Sequence, residues 1–468
     1  MTHNTTQAQL ERSFENQRAA FAAEPYPTLE ARLQALATLR DVCAAVRGRM
    51  AAALAADFGS HDPNIGLLWE LGGVLARIQY AEQNLAHWLA PVDRGSDPAD
   101  GQRSYVRYQP KGVIGNMAPW NFPVDISLGP LVDMLAGGNR AIVKPSEHAP
   151  HSAELVRAVI ADHFDPALVH VVTGGVELAE AFTRLPWDHL MYTGNPAVAR
   201  KVLQAAAQNL VPVTLELGGK CPTLIAPDRV NDDSLSEVLS IKAIKNGQVC
   251  INTDYVLVPR ASLTQVVSSL QRLWATMFPQ FVASDSATGM INQHHYDRLT
   301  GYLTQARARG VQVLTLGDEA PDTERRVLPL TLVVDPPDDL ALMQEEIFGP
   351  ILPIKPYDSV DQAIAYINTH PRPLALYVFT DDTQLADDVI ARTTSGGACV
   401  NAIAVHASLP SLPFGGIGHS GMGCHHGFEG FQTFSHARAI YRRGATNPWE
   451  FMRPPYGETL GLVARMVT

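Results

Sequence analysis

Between residues 113 and 208, short apolar runs alternate with stretches of helical spacing. This alternation constrains the chain more than any other feature. Runs at 113–117, 141–144, 169–173 and 189–192 are too short for helices and are bounded by turn-forming residues. Between them, 127–136, 152–163, 177–183 and 196–208 carry helical patterns. Strand and helix in strict alternation imply parallel βαβ units, hence an open α/β sheet whose strand ends bind nucleotides. After 213–217 the texture repeats, with strands at 222–226, 255–258, 311–316, 328–334, 352–357, 374–379 and 398–401. Helices at 234–245, 263–277, 360–369 and 383–393 accompany them, which predicts a second α/β unit.

Ahead of this lie residues 7–57, read as helix, with Leu33, Leu36, Leu39 and Val42 at helical spacing. A second helical block at 65–89 places Leu68, Leu71, Leu75 and Ile78 on one side. Residues 91–102 read as a loop, and 104–109, ending at Pro110, as an edge strand or projecting ribbon. At 468 residues the chain exceeds one ordinary core. A formal net charge of -11 argues against a non-specific nucleic-acid partner. The five cysteines (43, 221, 250, 399, 424) are odd in number and form no CxxC pair, so a reducing, cytoplasmic compartment is expected. No run approaches the ~18 apolar residues of a membrane span, and residues 1–9 lack an apolar signal core. The apolar stretch 460–467, broken by Arg465, is expected to dock as a tail rather than anchor the chain.

Cys250 sits in a loop between a predicted helix and a predicted buried strand, where a reactive thiol can be presented on a rigid scaffold. A buried, inert thiol is the competing reading. Gly416, Gly418 and Gly421 form a literal G-x-G-x-x-G, but not between a strand and a helix, so it reads as a glycine-rich turn. The pair His425–His426, and His148 with His151, lack suitably spaced partners for a metal; sequence neighbours are not expected to face one site. Asn121, in Pro119-Trp120-Asn121-Phe122-Pro123, offers an amide to a developing oxyanion or simply forms a turn. Lys144 and Glu147 follow a strand end, where they could hold ribose hydroxyls or be ordinary loop charges. Glu216 lies in an apolar strand end; burial would raise its pKa toward that of a general base, unless a nearby lysine pairs with it. Glu345 and Glu346 precede a tight turn that should send one outward and one inward.

Taken in order, PWNFP (119–123), KPSE (144–147), YTGN (192–195), LELGGK (215–220), GQVC (247–250), EEIFGP (345–350) and LPFGG (412–416) resemble the aldehyde dehydrogenase superfamily. YTGN, the Asp254-Tyr255 pair and the ending from Leu412 to Gly423 are similar to its class 3 branch. Residues 427–436 are similar to the bacterial coniferyl-aldehyde dehydrogenases within that branch. The resemblance implies two open α/β domains plus a small β oligomerisation arm. An NAD(P)-binding domain would take 1–102 and 113–213, and a catalytic domain 214–425. The arm and tail would take 103–112 and 426–468. It further implies that the dinucleotide is bound without the usual glycine triplet.

Carried over by motif, Cys250 is the nucleophile, Asn121 with the Cys250 N–H the oxyanion hole, and Glu216 the base. Met117, Ala118, Pro119, Trp120, Lys144, Glu147, Thr193, Gly194, Leu217, Gly218, Glu346 and Phe348 would contact the cofactor. Phe122 would line the aldehyde tunnel, and no metal is implied. NAD is expected because Glu147 would repel a 2'-phosphate, with NADP possible; class 3 relatives imply a homodimer.

The implied reaction oxidises an aldehyde to its acid through a thiohemiacetal and a thioester on Cys250. Aryl or cinnamyl aldehydes such as coniferyl aldehyde are the first expectation, and fatty aldehydes the alternative. A silent binding protein and a coenzyme A-acylating enzyme are disfavoured by the intact Cys250 and Glu216. Two departures stand near the nucleophile: Asn252 and Thr253 occupy positions where many class 3 relatives have Ala-Pro, and they are expected near the pocket mouth.

Overall fold

A computed structural model describes residues 4–467. Its centre is a six-stranded sheet in the spatial order Gly421–Met422, Val213–Glu216, His189–Thr193, Val113–Met117, Arg140–Lys144, Val169–Val171. All neighbours are parallel except Gly421–Met422, which runs antiparallel to Val213–Glu216. Chain order reverses between Val113–Met117 and His189–Thr193, which makes the crevice beyond Met117 the point where such sheets bind ligands. A seven-stranded sheet runs Gln312–Thr315, Thr331–Val334, Ile351–Tyr357, Tyr255–Pro259, Pro222–Ile225, Ala375–Phe379, Gly397–Val400. A third, antiparallel sheet joins Val92–Asp93, Arg103–Pro110 and Ser435–Arg442. The two-sheet α/β architecture with a small β arm is therefore present as expected.

Several local expectations are corrected. The helix expected over 7–57 is two helices, Gln7–Ala23 and Leu29–Phe58, because Pro25 and Pro27 interrupt the hydrogen-bond ladder. Thr28 restarts it by accepting from the Ala31 amide, and Gly59 at φ 80° stops it. The apolar stripe expected at 68–78 is split: Leu71 and Ile78 are buried, but Leu68 and Leu75 are exposed. A π-turn at Leu68–Gly72 shifts the helical phase there and turns Trp69 and Glu70 inward instead.

Helix Gln293–Ala308 was not expected; its polar sequence hides a buried stripe of Tyr296, Leu299, Leu303 and Ala306. Arg103–Pro110 is the middle strand of its sheet rather than an edge, because Ser435–Arg442 pairs with it along its whole length. The expected boundary at 214 cuts a strand, since Val213–Glu216 belongs wholly to the six-stranded sheet. The C-terminal stretch forms helix Glu458–Met466, none of whose residues is fully buried. No described helix is long and apolar enough to cross a membrane.

Candidate active site

The helix expected to run to Lys245 ends at Ala243. Lys245, Asn246 and Gly247 then adopt φ of 47°, 50° and 80°. Three consecutive left-handed residues reverse the chain and present Cys250 in a half-buried turn. Only glycine fits at 247, where a Cβ would lie 2.3 Å from the Gly349 carbonyl oxygen. Gln248 pins the reversal by donating to the carbonyls of Lys245 and Gly289 (both 3.0 Å). Beneath the nucleophile, the buried Cys221 thiol donates to the Cys250 carbonyl at 3.5 Å, and the Tyr377 hydroxyl donates to Ile251 O at 2.5 Å. Cys221, which sequence left without a role, is thus part of the floor. Asn252 and Thr253, next to the nucleophile, are both buried. Asn252 donates to the Gly247 carbonyl at 2.9 Å, and Thr253 shares a 2.8 Å hydrogen bond with Thr223. Polar groups buried with partners brace the loop from within.

Asn121 arrives from the other sheet, in the loop beyond Met117. Its side-chain amide donates to the Gln248 carbonyl at 3.2 Å, two residues from the thiol. A buried ion pair that sequence reading missed fixes this loop. Lys245 and Glu70 pair with neither side chain exposed. Lys245 also donates to the Asn121 carbonyl at 2.6 Å, and Glu70 accepts from the amides of Val124 and Asp125 at 2.9 Å each. The signal was a glutamate inside an apolar stretch, Leu67-Leu68-Trp69-Glu70-Leu71.

Glu216 closes its strand with its carboxyl buried, and neither oxygen has a hydrogen-bond partner among the described residues. The lysine that could have neutralised it, Lys220, instead pairs with Asp254 and donates to Leu342 O and Glu345 O (2.8 and 3.0 Å). Burial alone pushes the Glu216 carboxyl well above the ordinary range. Burial, followed by the negative charges of Glu346 and Glu216, pushes the Cys250 thiol up to about 12. Glu346 is itself raised to about 8, first by burial and then by Asp254. It turns inward against Gly218, where a Cβ would come within 2.2 Å of its carboxylate, while Glu345 turns outward to accept from Tyr302 at 2.6 Å. The expected opposition of these two carboxylates therefore holds.

The remaining candidates line the carboxyl edge of the six-stranded sheet. Met117 and Ala118 are buried beside Lys144, whose carbonyl accepts from the Ala118 amide at 3.0 Å. Lys144 donates to Glu147 at 2.9 Å, and Glu147 lines a cleft with Pro145, Ser146, Thr173 and Gly174. Thr193 keeps a buried hydroxyl without a partner among the described residues, and Gly194 is required because Tyr192 folds to within 2.2 Å of its Cβ position. Leu217 is tied to Ser420 O by a 3.0 Å backbone bond. Trp120, after Pro119, meets Phe348 edge-on at 5.3 Å between ring centres; Phe348 itself sits at φ 51°. Phe122 stacks on Trp69 at 6.2 Å, with Lys245 4.1 Å from its ring centre. The glycine-rich segment forms a turn, with Gly418 bridging Gly421. His425 and His426 do face each other, at 4.3 Å between rings, because His426 takes φ 76°. Among the described residues no group of three or more His, Cys, Asp and Glu could hold a metal.

A thiol, an amide beside it and an unpaired buried carboxyl therefore converge where the two sheets meet. The sequence profile of the aldehyde dehydrogenase family matches residues 1–440. The chain is 41% identical over 453 residues to a probable coniferyl aldehyde dehydrogenase of Caulobacter vibrioides, covering 95% of this chain and 93% of that protein. It is 38% identical to a coniferyl aldehyde dehydrogenase of Pseudomonas sp., covering 98% and 96%. Among solved structures, the substrate-bound AldH of Staphylococcus aureus superposes with a TM-score of 0.91 at 31% identity, covering 98% of this chain and 99% of that one. The chain belongs to the aldehyde dehydrogenase family and is an NAD(P)-dependent aldehyde-oxidising enzyme.

Proposed function

We propose that this enzyme oxidises aryl or cinnamyl aldehydes, of which coniferyl aldehyde is one, to their carboxylic acids. The observation that carries the chemical assignment is Glu216. A carboxyl buried without a partner among the described residues has no structural use, yet it has the proton affinity of a general base. Cys250 adds to the aldehyde carbon, and the oxyanion that develops is met by the Asn121 amide and the Cys250 N–H. Losing one such donor typically costs about 3 kcal/mol of transition-state stabilisation. Glu216 takes a proton from the water that hydrolyses the resulting thioester.

The dinucleotide, when bound, supplies the hydride acceptor. The chain fits it: a Cβ at Gly194 or Gly218 would press on Tyr192 or Glu346, Thr193 offers a hydroxyl without a partner among the described residues, and Glu147 lines the cleft next to Lys144. In that reading Lys144 and Glu147 take the adenosine ribose, and Thr193, Gly194, Leu217 and the 117–120 segment face the pyrophosphate and nicotinamide. Glu346 and Phe348 take the nicotinamide ribose. The Glu147 carboxylate favours NAD over NADP.

The six-stranded sheet would serve the cofactor, the seven-stranded sheet the thiol, and the three-stranded arm a homodimer contact. The arm's outer strand, Ser435–Arg442, is largely exposed and pairs on one side only, as a strand awaiting a partner copy would be. A cytoplasmic location agrees with five free cysteines. The test is NADH formation at 340 nm with coniferyl aldehyde, cinnamaldehyde, benzaldehyde, hexanal and decanal. A higher kcat/KM for decanal than for coniferyl aldehyde would move the assignment to fatty aldehydes.

A further inference from the structure

The three-stranded arm carries its charge on one face. The antiparallel register sets Arg107 directly opposite Arg438, and Arg103 directly opposite Arg442. Tyr105 and Ile440 oppose each other between these pairs, and side chains two apart on a strand share a face. Four arginines therefore surround one aromatic and one aliphatic side chain. Arg103 and Arg107 lie 5.3 and 5.9 Å from the centre of the Tyr105 ring. Asp93, opposite Tyr105 on the short strand Val92–Asp93, is the one carboxylate on this face. The reverse face turns Tyr108 onto Phe428 and Phe431, at 5.9 and 5.4 Å between rings, so the arginine face is the outer one.

Like charges directly opposite each other destabilise a sheet, so this face lacks an anion of its own. None of the four arginines makes a salt bridge among the described residues; Arg438 donates to Gln109 at 3.2 Å. The whole chain carries a formal charge of -11, which makes the face a local exception. Strand Ser435–Arg442 then runs on into an apolar tail. Ala445 and Thr446 donate to Asp100 at the arm's tip, at 2.9 and 2.8 Å. Beyond them Trp449, Met452, Tyr456, Leu462 and Met466 are all exposed. Leu462 and Met466 stand four apart on helix Glu458–Met466, hence on one side of it.

We propose that the arginine face of the arm, with the tail that leaves its tip, binds the surface of an anionic phospholipid membrane. Guanidiniums hydrogen-bond lipid phosphates, Trp449 and Tyr456 suit the headgroup level, and Leu462 and Met466 suit the acyl boundary. No described helix can cross a bilayer, so the contact is peripheral and reversed by salt. A nucleic acid would also meet the arginines, but Leu462 and Met466 offer its bases no stacking surface. Beyond the arm, a long polyanion would meet the chain's net negative charge. A second copy pairing along the free edge of Ser435–Arg442 leaves this face open.

The experiment floats the intact chain with vesicles of phosphatidylglycerol or of phosphatidylcholine. Binding should appear with phosphatidylglycerol at low salt, be absent with phosphatidylcholine, and vanish at about 0.5 M salt. Each arginine near an anionic surface is worth roughly fivefold, so Arg438→Gln combined with Arg442→Gln should weaken binding about 25-fold. Both side chains are exposed and stand opposite another arginine, so this variant should fold and keep its kcat. Leu462→Glu should weaken binding and leave its salt dependence in place. No flotation with phosphatidylglycerol at low salt, or flotation unchanged in the arginine variant, would overturn the inference. Tighter binding to polyuridylate than to the vesicles would give the face to nucleic acid instead. An arginine variant that sediments as a monomer where the parent is a dimer would give it to a second copy; either result overturns the membrane assignment.

Discussion

Replacing Lys245 with methionine tests how the two sheets are held in register at the site. Lys245 and Glu70 pair with side chains 0% exposed, so the substitution leaves a carboxylate buried without its counter-ion. Breaking such a pair by removing one partner typically costs about 3–5 kcal/mol. The φ of 47° at residue 245 adds nothing to the difference, because methionine meets the same left-handed strain as lysine. Heat is a blunt readout for a chain of 468 residues, since an unfolding entropy of about 2 cal/mol/K per residue gives only ~1 °C per kcal/mol. Hydrogen exchange is sharper. The Val124 and Asp125 amides donate to Glu70, so a peptide spanning 121–126 should exchange faster by on the order of 10²- to 10³-fold if the loop opens locally. Because Lys245 also holds the Asn121 carbonyl, kcat should fall for every aldehyde. The ceiling is the roughly 10²- to 10³-fold loss expected when an oxyanion donor is removed outright. Adding Glu70→Gln removes the stranded charge and should recover most of the exchange protection, without restoring kcat to the same extent. Unchanged exchange across 121–126 together with unchanged kcat in Lys245→Met would refute the reasoning.

Other perturbations isolate other parts of the site. Asn121→Ala should lower kcat roughly 10²- to 10³-fold with a smaller change in KM, read from steady-state NADH formation. Glu216→Gln should keep a rapid burst of NADH and lose the steady-state rate; a full steady-state rate would remove Glu216 from the base role. In cofactor-free enzyme, alkylation of Cys250 followed by peptide mass spectrometry should accelerate continuously from pH 7 to beyond pH 10, because burial and the nearby carboxylates push its thiol up to about 12. A rate that levels off below pH 9 would contradict that environment. Gly218→Ala should disturb Glu346, whose carboxylate lies 2.2 Å from the new Cβ position, and raise the KM for NAD more than that for aldehyde.

Most of the fold was legible because its signals are local. Apolar runs of strand length separated by helical spacing survive in the structure nearly residue for residue, as at Val113–Met117 and Leu263–Met277. Some of the misreadings share a cause: an interaction distant in sequence overrode the local pattern. The π-turn at Leu68–Gly72 exists where Glu70 reaches the amides of Val124 and Asp125, and it rotates Leu68 into solvent. Asn292 and four spaced apolar residues marked helix Gln293–Ala308, but a polar surface diluted the pattern. Asn252 and Thr253 looked like pocket residues because they follow Cys250, yet their partners Gly247 and Thr223 turn them inward. The candidate site was legible through motif order; the clamps Glu70–Lys245 and Lys220–Asp254, which join residues far apart in sequence, were not.

Those clamps bear on why the reacting groups are so unfavourable to bury. Three lysines lie around the site, and all three are committed elsewhere. Lys220 holds Asp254 and two carbonyls, Lys242 donates to Gly349 O at 3.2 Å, and Lys245 holds Glu70 and Asn121. None pairs with Glu216, Glu346 or Cys250: burial alone raises Glu216, burial and then Asp254 raise Glu346 against the pull of Lys220, and burial with the charges of Glu346 and Glu216 raises Cys250. For Glu216 the sign of the cost follows. Its folded pKa lies above the unfolded value near 4.5, so stability is greatest below that pH and declines as pH rises toward the folded value. Glu216→Gln should therefore be more stable than wild type at pH 8 and gain less at pH 4, the opposite of the pattern for a salt-bridged carboxylate. A lysine released to pair with Glu216 would relieve that cost and, by lowering the pKa, weaken the base. The site thus trades stability for proton affinity at Glu216, and the lysine clamps keep that exchange in place.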